Sequence, residues 1–535
     1  MILSQNIKHK LISLALGISA ALLPIAAVAA ERITFNISPF GQFQIKVKDL
    51  EAFVATGSKS VELDYYLRRL PAKQQAKLPE LLSTPLEFKP LTIAKFTNST
   101  VGEILIKNFG KGIRSQVNRN GFYALRGAMI AAAFDDEGLT LINLLHHYPL
   151  KTVHLDLEIL TQYLEQATKL AKNREVIDRT WFGGHQNQLQ HKTLGDRLEG
   201  ELDLEIPGQY SWQKRTLTYK NPHRQQTSLF DLYQPKIGRS VPLIAISHGI
   251  ASNRKTFAYL AKHLASYGFA VAVIEHDDIS LAKFDRFLAG IEPFPKANNL
   301  VDQPLDISSV LDRLESESNL DLDQVGIVGQ SFGGYSALAL SGGKLIPDQS
   351  VAECQTEDDS DVLLDLSSLA QCTFNQLSKS PVQLRDPRVK AVIAINPMAK
   401  IFGSTGMSEI KTPTMIISGS NDLIMPPVAE QIEPFSWLKE KEKYLVLVKP
   451  ATHFSFLQES LGVLPVPDDV VGPRPIYAYP ALKTLTTAFF QVYLAQQPKY
   501  QTYLQRDRTR QLDNNAFDFL IMRHLNQAEL NQFKQ

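Results

Sequence analysis

The segment Val325-Gly-Ile-Val-Gly-Gln-Ser-Phe-Gly-Gly334 constrains the fold more than any other stretch of this chain. An apolar β-rich run is followed at once by Gly-x-Ser-x-Gly and then by helix-forming residues from Tyr335 to Leu340. Side chains two positions before and after Ser331 would collide if the chain turned sharply from strand to helix there. Gly329 and Gly333 leave that space open, and a strained turn then points the Ser331 hydroxyl out of the sheet. Such a turn exists only at the end of a buried strand that feeds a helix. The surrounding sequence agrees. Short apolar runs alternate with helical stretches at Trp212 to Tyr219, Ser228 to Tyr233, Leu243 to Ile246, Phe269 to Ile274, Val325 to Val328, Val389 to Ile395, Thr414 to Ile417 and Tyr444 to Val448. This pattern predicts an α/β architecture, a mostly parallel eight-stranded sheet covered by helices on both faces.

The chain has 535 residues, too many for one ordinary core, and the rest of it reads differently. From about Asp49 to Lys172 apolar residues recur at helical spacing, as at Leu50, Phe53 and Val54 before Gly57. An all-helical domain is therefore expected ahead of the sheet. Residues 173–206 turn polar, with Gly183-Gly-His-Gln-Asn-Gln188, and read as a linker. The expected division is 1–30 signal peptide, 31–172 helical domain, 173–206 linker, 207–499 hydrolase domain and 500–535 a mixed-charge helical tail.

Lys8 and Lys10 precede an apolar run from Leu11 to Leu23, and small residues follow from Ile25 to Ala30. Charged, apolar and cleavage regions in this order make a secretory signal peptide, cut after Ala29 or Ala30. Export to the periplasm or the medium follows. The alternative is an uncleaved N-terminal membrane anchor, since the run is just long enough to span a bilayer. Cys354 and Cys372 are the only two cysteines, and an oxidising compartment lets them pair. The closed loop would stabilise by roughly 3 kcal/mol.

Charge and motif content exclude several classes. Lys and Arg number 56 against 55 Asp and Glu, so the chain lacks the basic field that nucleic acid binding draws on. Two cysteines build no zinc ribbon or iron–sulfur site, and no His-Glu-x-x-His or phosphate loop is present. No metal and no cofactor is expected.

A serine hydroxyl needs a base, a group to orient that base, and donors for the oxyanion. Asp422 lies in Ser418-Gly-Ser-Asn-Asp-Leu-Ile-Met-Pro426 after the strand Thr414 to Ile417, and His453 follows the next strand in Ala451-Thr-His-Phe-Ser455. The order Ser331, Asp422, His453 is that of the α/β-hydrolases. Oxyanion donors are expected at the backbone N–H of Phe332 and, in the loop Ser247-His-Gly-Ile250, of Ile250. His248 precedes the nucleophile and fits a loop-shaping role. Phe284, Phe287 and Phe294, in the apolar insert from Ile279 to Pro304, form a candidate lid. The alternative for that insert is a surface excursion packed on the helical domain.

Ile246-Ser-His-Gly-Ile250, Leu264-Ala-Ser-Tyr-Gly-Phe-Ala-Val-Ala-Val-Ile-Glu-His-Asp277 and Gly329-Gln-Ser-Phe-Gly-Gly334 resemble the platelet-activating-factor acetylhydrolase branch of the α/β-hydrolases over roughly residues 210–460. The resemblance implies a cofactor-free serine esterase acting on short or oxidised acyl groups of lipids. The whole chain also resembles exported proteins of photosynthetic bacteria that join a helical domain of unknown function to such a hydrolase. Asn120 to Arg126 and Gly138-Leu-Thr-Leu141 carry the match in the helical part. One departure weakens the transfer of substrate. Where the acetylhydrolase branch has its acid, this chain has Asn396, and Asp422 holds the position used by cutinase-like and dienelactone hydrolases. Ser331 in place of Cys argues against dienelactone chemistry. The expectation is an exported carboxylesterase or lipase acting on a small-molecule or lipid ester, with peripheral membrane contact as an option and the oligomeric state open. The alternatives are a cutinase-like polyester hydrolase and a non-catalytic scaffold.

Overall fold

The computed structural model describes residues 29–183, 202–288, 291–292, 298–346, 380–458 and 471–533, except positions 87, 89, 99, 117 and 118. The leader, Phe294 and both Cys354 and Cys372 lie outside the described residues, and so does the expected disulfide. No helix of the described residues is long and apolar enough to cross a membrane. The chain forms two units, Met1–Thr161 and Gln162–Gln535.

The N-terminal unit is mainly helical. The helix Val47–Thr56 buries Val47, Leu50 and Phe53 and stops at Gly57, whose φ of 72° is open to glycine at no steric cost. Phe122–Phe134 is the central helix, where Phe122, Leu125 and Ala128 join Leu63, Leu67, Ile106 and Tyr148 in one core. The unit is not all-helical, however. β1 (Arg32–Ile37) and β2 (Gly41–Lys46) form a hairpin, and β3 (Ile113–Arg114) and β4 (Thr152–Leu155) complete a four-stranded sheet in the order β2-β1-β4-β3. The hairpin precedes the helical periodicity that begins near Asp49. The other two strands are too short to show alternation.

The second unit is built on a nine-stranded mixed sheet. Its strands are β5 (Trp212–Asn221), β6 (Gln226–Pro235), β7 (Val241–Ser247), β8 (Ala270–Ile274), β9 (Leu320–Gln330), β12 (Val389–Ile395), β13 (Thr414–Gly419), β14 (Lys443–Lys449) and β15 (Asp518–Met522). A separate hairpin pairs β10 (Lys344–Leu345) with β11 (Val382–Gln383). The order across the large sheet is β15-β14-β13-β12-β9-β7-β8-β6-β5. The pairs from β14 to β8 are parallel, while the edge pairs β15–β14, β8–β6 and β6–β5 are antiparallel. The expected count of eight, mostly parallel, is thus corrected to nine in a mixed sheet. The extra strand comes from the tail, which was expected to be helical. Asp518-Phe-Leu-Ile-Met522 is a five-residue apolar run among charged neighbours, and its pairing partner β14 lies about seventy residues upstream.

Alternate residues of a central strand enter opposite cores, which explains the continuous apolar runs. Ile393 and Ile395 of β12 pack with the helices Ala258–Ser266 and Tyr479–Tyr493. Ala394 and Val392 face the other way, toward the helix Phe332–Ser341. Covered on both faces, the parallel strands expose their carboxyl-end loops, where ligands gather in open α/β sheets.

Candidate active site

β9 ends at Gln330 and the helix Phe332–Ser341 begins two residues later, leaving Ser331 alone in the turn. Its φ of 56° and ψ of −120° lie outside the regions that L-residues prefer. Two backbone bonds hold it there: Ser331 N–H donates to the Ile395 carbonyl at 2.8 Å, and Tyr335 N–H to the Ser331 carbonyl at 3.0 Å. The flanking glycines touch backbone. A Cβ on Gly329 would stand 2.0 Å from the Gly333 carbonyl oxygen, and one on Gly333 would stand 2.1 Å from that of Ser247. β7 is thereby packed directly against the start of the helix Phe332–Ser341.

Asp422 and His453 come together from the ends of neighbouring parallel strands, β13 and β14. His453 Nδ1–H donates to Asp422 Oδ2 at 2.7 Å, with the carboxylate fully covered. The other carboxylate oxygen accepts the N–H groups of Ile424 and Met425, each at 2.8 Å. The two loops are tied by Asn421 N–H to the Ala451 carbonyl at 2.8 Å, and a Cβ on Gly419 would lie 2.6 Å from that same oxygen. With Nδ1 protonated, His453 Nε2 carries a lone pair. The Gln330 amide donates to it at 3.2 Å, so the partner this structure gives the nitrogen is the residue before Ser331.

Phe332 is the first residue of its helix, and its N–H has no intrahelical acceptor. Ile250 follows Gly249, where a Cβ would come within 2.8 Å of both Ser331 Cβ and Gln330 Oε1. This loop therefore passes directly over Ser331. Phe284 and Phe287 sit on the helix Leu281–Leu288 with ring centroids 5.6 Å apart, Phe287 buried and Phe284 half-buried.

Asn396, in the position where the resemblance places an acid, follows β12 with a φ of 43° and is fully buried. Its Oδ1 accepts Gly419 N–H at 2.8 Å and its Nδ2 donates to the Thr452 carbonyl at 3.2 Å. It staples the loop bearing Asp422 to the loop bearing His453.

Beneath the 247–250 loop is a second array that the sequence did not disclose. His276 Nδ1–H donates to Asp306 Oδ2 at 2.9 Å, and the Ser247 hydroxyl meets His276 Nε2 at 2.9 Å. Gln303 Nε2 donates to Ser247 Oγ at 3.2 Å and to the His248 carbonyl at 3.0 Å. Arg224 closes the array with a bidentate contact to Asp306 at 2.8 and 3.0 Å. Burial raises the Asp306 carboxyl, but His276 and Arg224 outweigh it and leave it below its ordinary value. The groups are those of a hydrolytic triad, yet Ser247 and His276 have no exposed surface, so they brace the loop and meet no substrate. His248 is also committed to backbone: Nδ1–H donates to the Gly249 carbonyl at 2.8 Å and Nε2 accepts His276 N–H at 3.0 Å. Burial, with His276 beside it, pushes it down to about 3. The Glu275-His276-Asp277 stretch was conspicuous in the sequence, but its partners at 224, 247, 303 and 306 have no fixed spacing from it.

Residues 29–156 match the family described as alpha/beta hydrolase of unknown function (DUF1400), and residues 218–289 match platelet-activating factor acetylhydrolase, isoform II. The chain joins a DUF1400 domain to an acetylhydrolase-like domain. The platelet-activating factor acetylhydrolase of Cavia porcellus is 23% identical over 264 residues, 42% of this chain and 49% of that protein. That of Bos taurus is 27% identical over 144 residues, 19% of this chain and 32% of that protein. The chain thus spans half or less of the length of these curated relatives. The match to the acetylhydrolase-like domain contains the 247–250 loop, His276 and the helix Leu281–Leu288, and these sequence comparisons support hydrolase or esterase chemistry in general.

Proposed function

We propose that the chain is an exported serine ester hydrolase of the α/β-hydrolase fold. Ser331 Oγ attacks the ester carbonyl as His453 Nε2 takes its proton, and the oxyanion is held by the N–H groups of Phe332 and Ile250. Collapse breaks the carbonyl carbon–alkoxy oxygen bond, and the imidazolium returns the proton to the departing alcohol. Water, deprotonated by His453, then releases the acid and restores Ser331. Asp422 orients the ring and stabilises its cation. Before substrate enters, the Gln330 amide satisfies Nε2, and it must yield that position to the Ser331 proton.

The observation that carries this reading is the 2.7 Å contact of His453 Nδ1 with Asp422, which favours the tautomer with Nδ1 protonated and Nε2 as the base. The substrate class we favour is a lipid or phospholipid ester with a short acyl group, from the names of the two relatives and the apolar Phe284–Phe287 insert. Residues 1–30 would be the export leader, 31–172 the helical domain, 173–206 the linker and 207–499 the catalytic domain, with its sheet completed from 500–535. Ser331→Ala should cost about 10⁶ in turnover of a nitrophenyl ester and abolish labelling by a fluorophosphonate probe. More than trace activity in that variant would overturn the assignment.

A further inference from the structure

Ile250 lies in a loop between β7 and the helix Ala258–Ser266, so no strand or helix sets the direction of its N–H. Ala251, the next residue, has a φ of 59°, a left-handed value that an alanine keeps only when its surroundings impose it. Its own N–H donates to the Ile279 carbonyl at 2.9 Å. Ile250 N–H has no acceptor among the described residues.

Two carbonyls decide where that N–H points. The Gly249 carbonyl accepts His248 Nδ1–H at 2.8 Å. Across a trans peptide the C=O and the following N–H point opposite ways, so Ile250 N–H is turned away from the His248 ring. The ring is held in turn by His276 N–H, which donates to His248 Nε2 at 3.0 Å. The His248 carbonyl accepts Gln303 Nε2–H at 3.0 Å. A carbonyl can only accept, which fixes the Gln303 amide with its NH₂ toward the loop.

The same NH₂ donates to Ser247 Oγ at 3.2 Å. Ser247 O–H then donates to His276 Nε2 at 2.9 Å, because the Nδ1–H of that ring serves Asp306. Gln303, on the helix Asn299–Leu314, is fully buried, and its Oε1 has no partner among the described residues. A buried acceptor left unpaired lowers stability, and a methionine of similar volume would avoid it. What the amide adds is a grip on the His248 carbonyl. That oxygen borders the start of the helix Phe332–Ser341, where a Cβ on Gly333 would stand 2.9 Å from it.

We infer that Gln303 is a positioning residue of the oxyanion site, holding the 247–251 loop so that Ile250 N–H faces the oxyanion formed on attack by Ser331. The inference deepens the esterase reading and rests on it.

The test measures kcat/KM for nitrophenyl hexanoate together with inhibition by two ketones. Ser331 Oγ adds to the carbonyl carbon of 1,1,1-trifluorooctan-2-one while His453 takes its proton, so that adduct carries the oxyanion; octan-2-one binds as the ketone. Loss of an oxyanion donor costs about 10²–10³ in turnover, and a loosened one should cost roughly tenfold. In Gln303→Met, kcat/KM and the affinity for the trifluoroketone should fall together by about that factor, while octan-2-one affinity and melting temperature hold. Ser247→Ala spares the bond to His248 and should lose less. If Gln303→Met does not fold, Gln303→Asn, its amide one methylene short, should show the same paired loss. Equal weakening of both ketones, a loss in Ser247→Ala as large as that in Gln303→Met, or unchanged kcat/KM in the Gln303 variants would overturn the inference. Ser331→Ala separates it from the reading beneath. Turnover that survives Ser331→Ala refutes the esterase assignment and this inference with it, whereas turnover lost there but unaltered in the Gln303 variants refutes the positioning role alone.

Discussion

If Asp422 is the acid, Asp422→Asn has an outcome that its surroundings dictate. One carboxylate oxygen accepts two backbone N–H groups, from Ile424 and Met425. An asparagine must keep its carbonyl oxygen there, because an amide NH₂ would face two donors. Its Nδ2 then faces His453 Nδ1, and the ring adopts the tautomer with Nδ1 as acceptor and Nε2–H outward. That nitrogen can no longer take the Ser331 proton. Loss of the same tautomer in other triads costs about 10⁴ in turnover, or about 5 kcal/mol of barrier. The fold should survive, since both backbone contacts remain. Moving the acid to its place in the acetylhydrolase branch should not rescue activity. In Asn396→Asp one oxygen keeps Gly419 N–H while the other meets the Thr452 carbonyl that Nδ2 now serves, so a buried donor is lost at about 1–3 kcal/mol. Turnover of nitrophenyl acetate, with urea unfolding as the control for folding, decides the matter. Asp422→Asn within tenfold of wild type, or a double variant recovering most of the loss, would refute this reasoning.

Other expectations are quickly stated. Gly249→Ala should lower turnover severalfold or more at nearly normal stability, because its Cβ would press on Ser331 and Gln330; Gly329→Ala should instead fail to give folded protein, its Cβ meeting a carbonyl at 2.0 Å. Comparing soluble yield and activity of the two checks both. Asp306→Asn removes the carboxylate that Arg224 and His276 share, while Arg224 keeps Asp278 and Asn299, and should cost about 1–3 kcal/mol in urea unfolding; an unchanged stability would count against the array. His248 and His263 stay neutral when folded, at about 3 and about 4, whereas unfolded they take protons near pH 6.5. Their contribution is complete above about pH 6.5 and drains as the pH falls toward those folded values, at about 1.4 kcal/mol per pH unit for each group. His263→Phe should remove one such increment from the slope of stability between pH 6 and pH 5, and an unchanged slope would show that His263 titrates normally.

Legibility followed how local each signal is. The turn at Ser331 was readable because two glycines and a strand are adjacent in sequence. Asp422 and His453 could be named because each follows a strand end, and their loops converge because β13 and β14 are parallel neighbours. The hairpin at Arg32–Lys46 and strand β15 escaped notice because each is short and set beside segments with another periodicity. The array under the 247–250 loop is assembled from four distant stretches, and no spacing rule links Arg224 to Asp306.

The contribution of the tail to the sheet bears on how the chain behaves in company. β14 is apolar from Tyr444 to Val448 between Lys443 and Lys449, and β15 pairs with it from Leu445 to Lys449. At the opposite border, β5 carries Lys214, Arg215 and Lys220, charges that discourage strand addition. The β14 border carries its charges only at its two ends, Lys443 and Lys449, with an apolar run between them. A copy shortened before Asp518 would offer five unpaired backbone positions to any extended peptide, including the tail of a second copy. Truncation before Asp518 should therefore raise the self-associated fraction in size-exclusion chromatography, because β15 is what occupies the β14 edge.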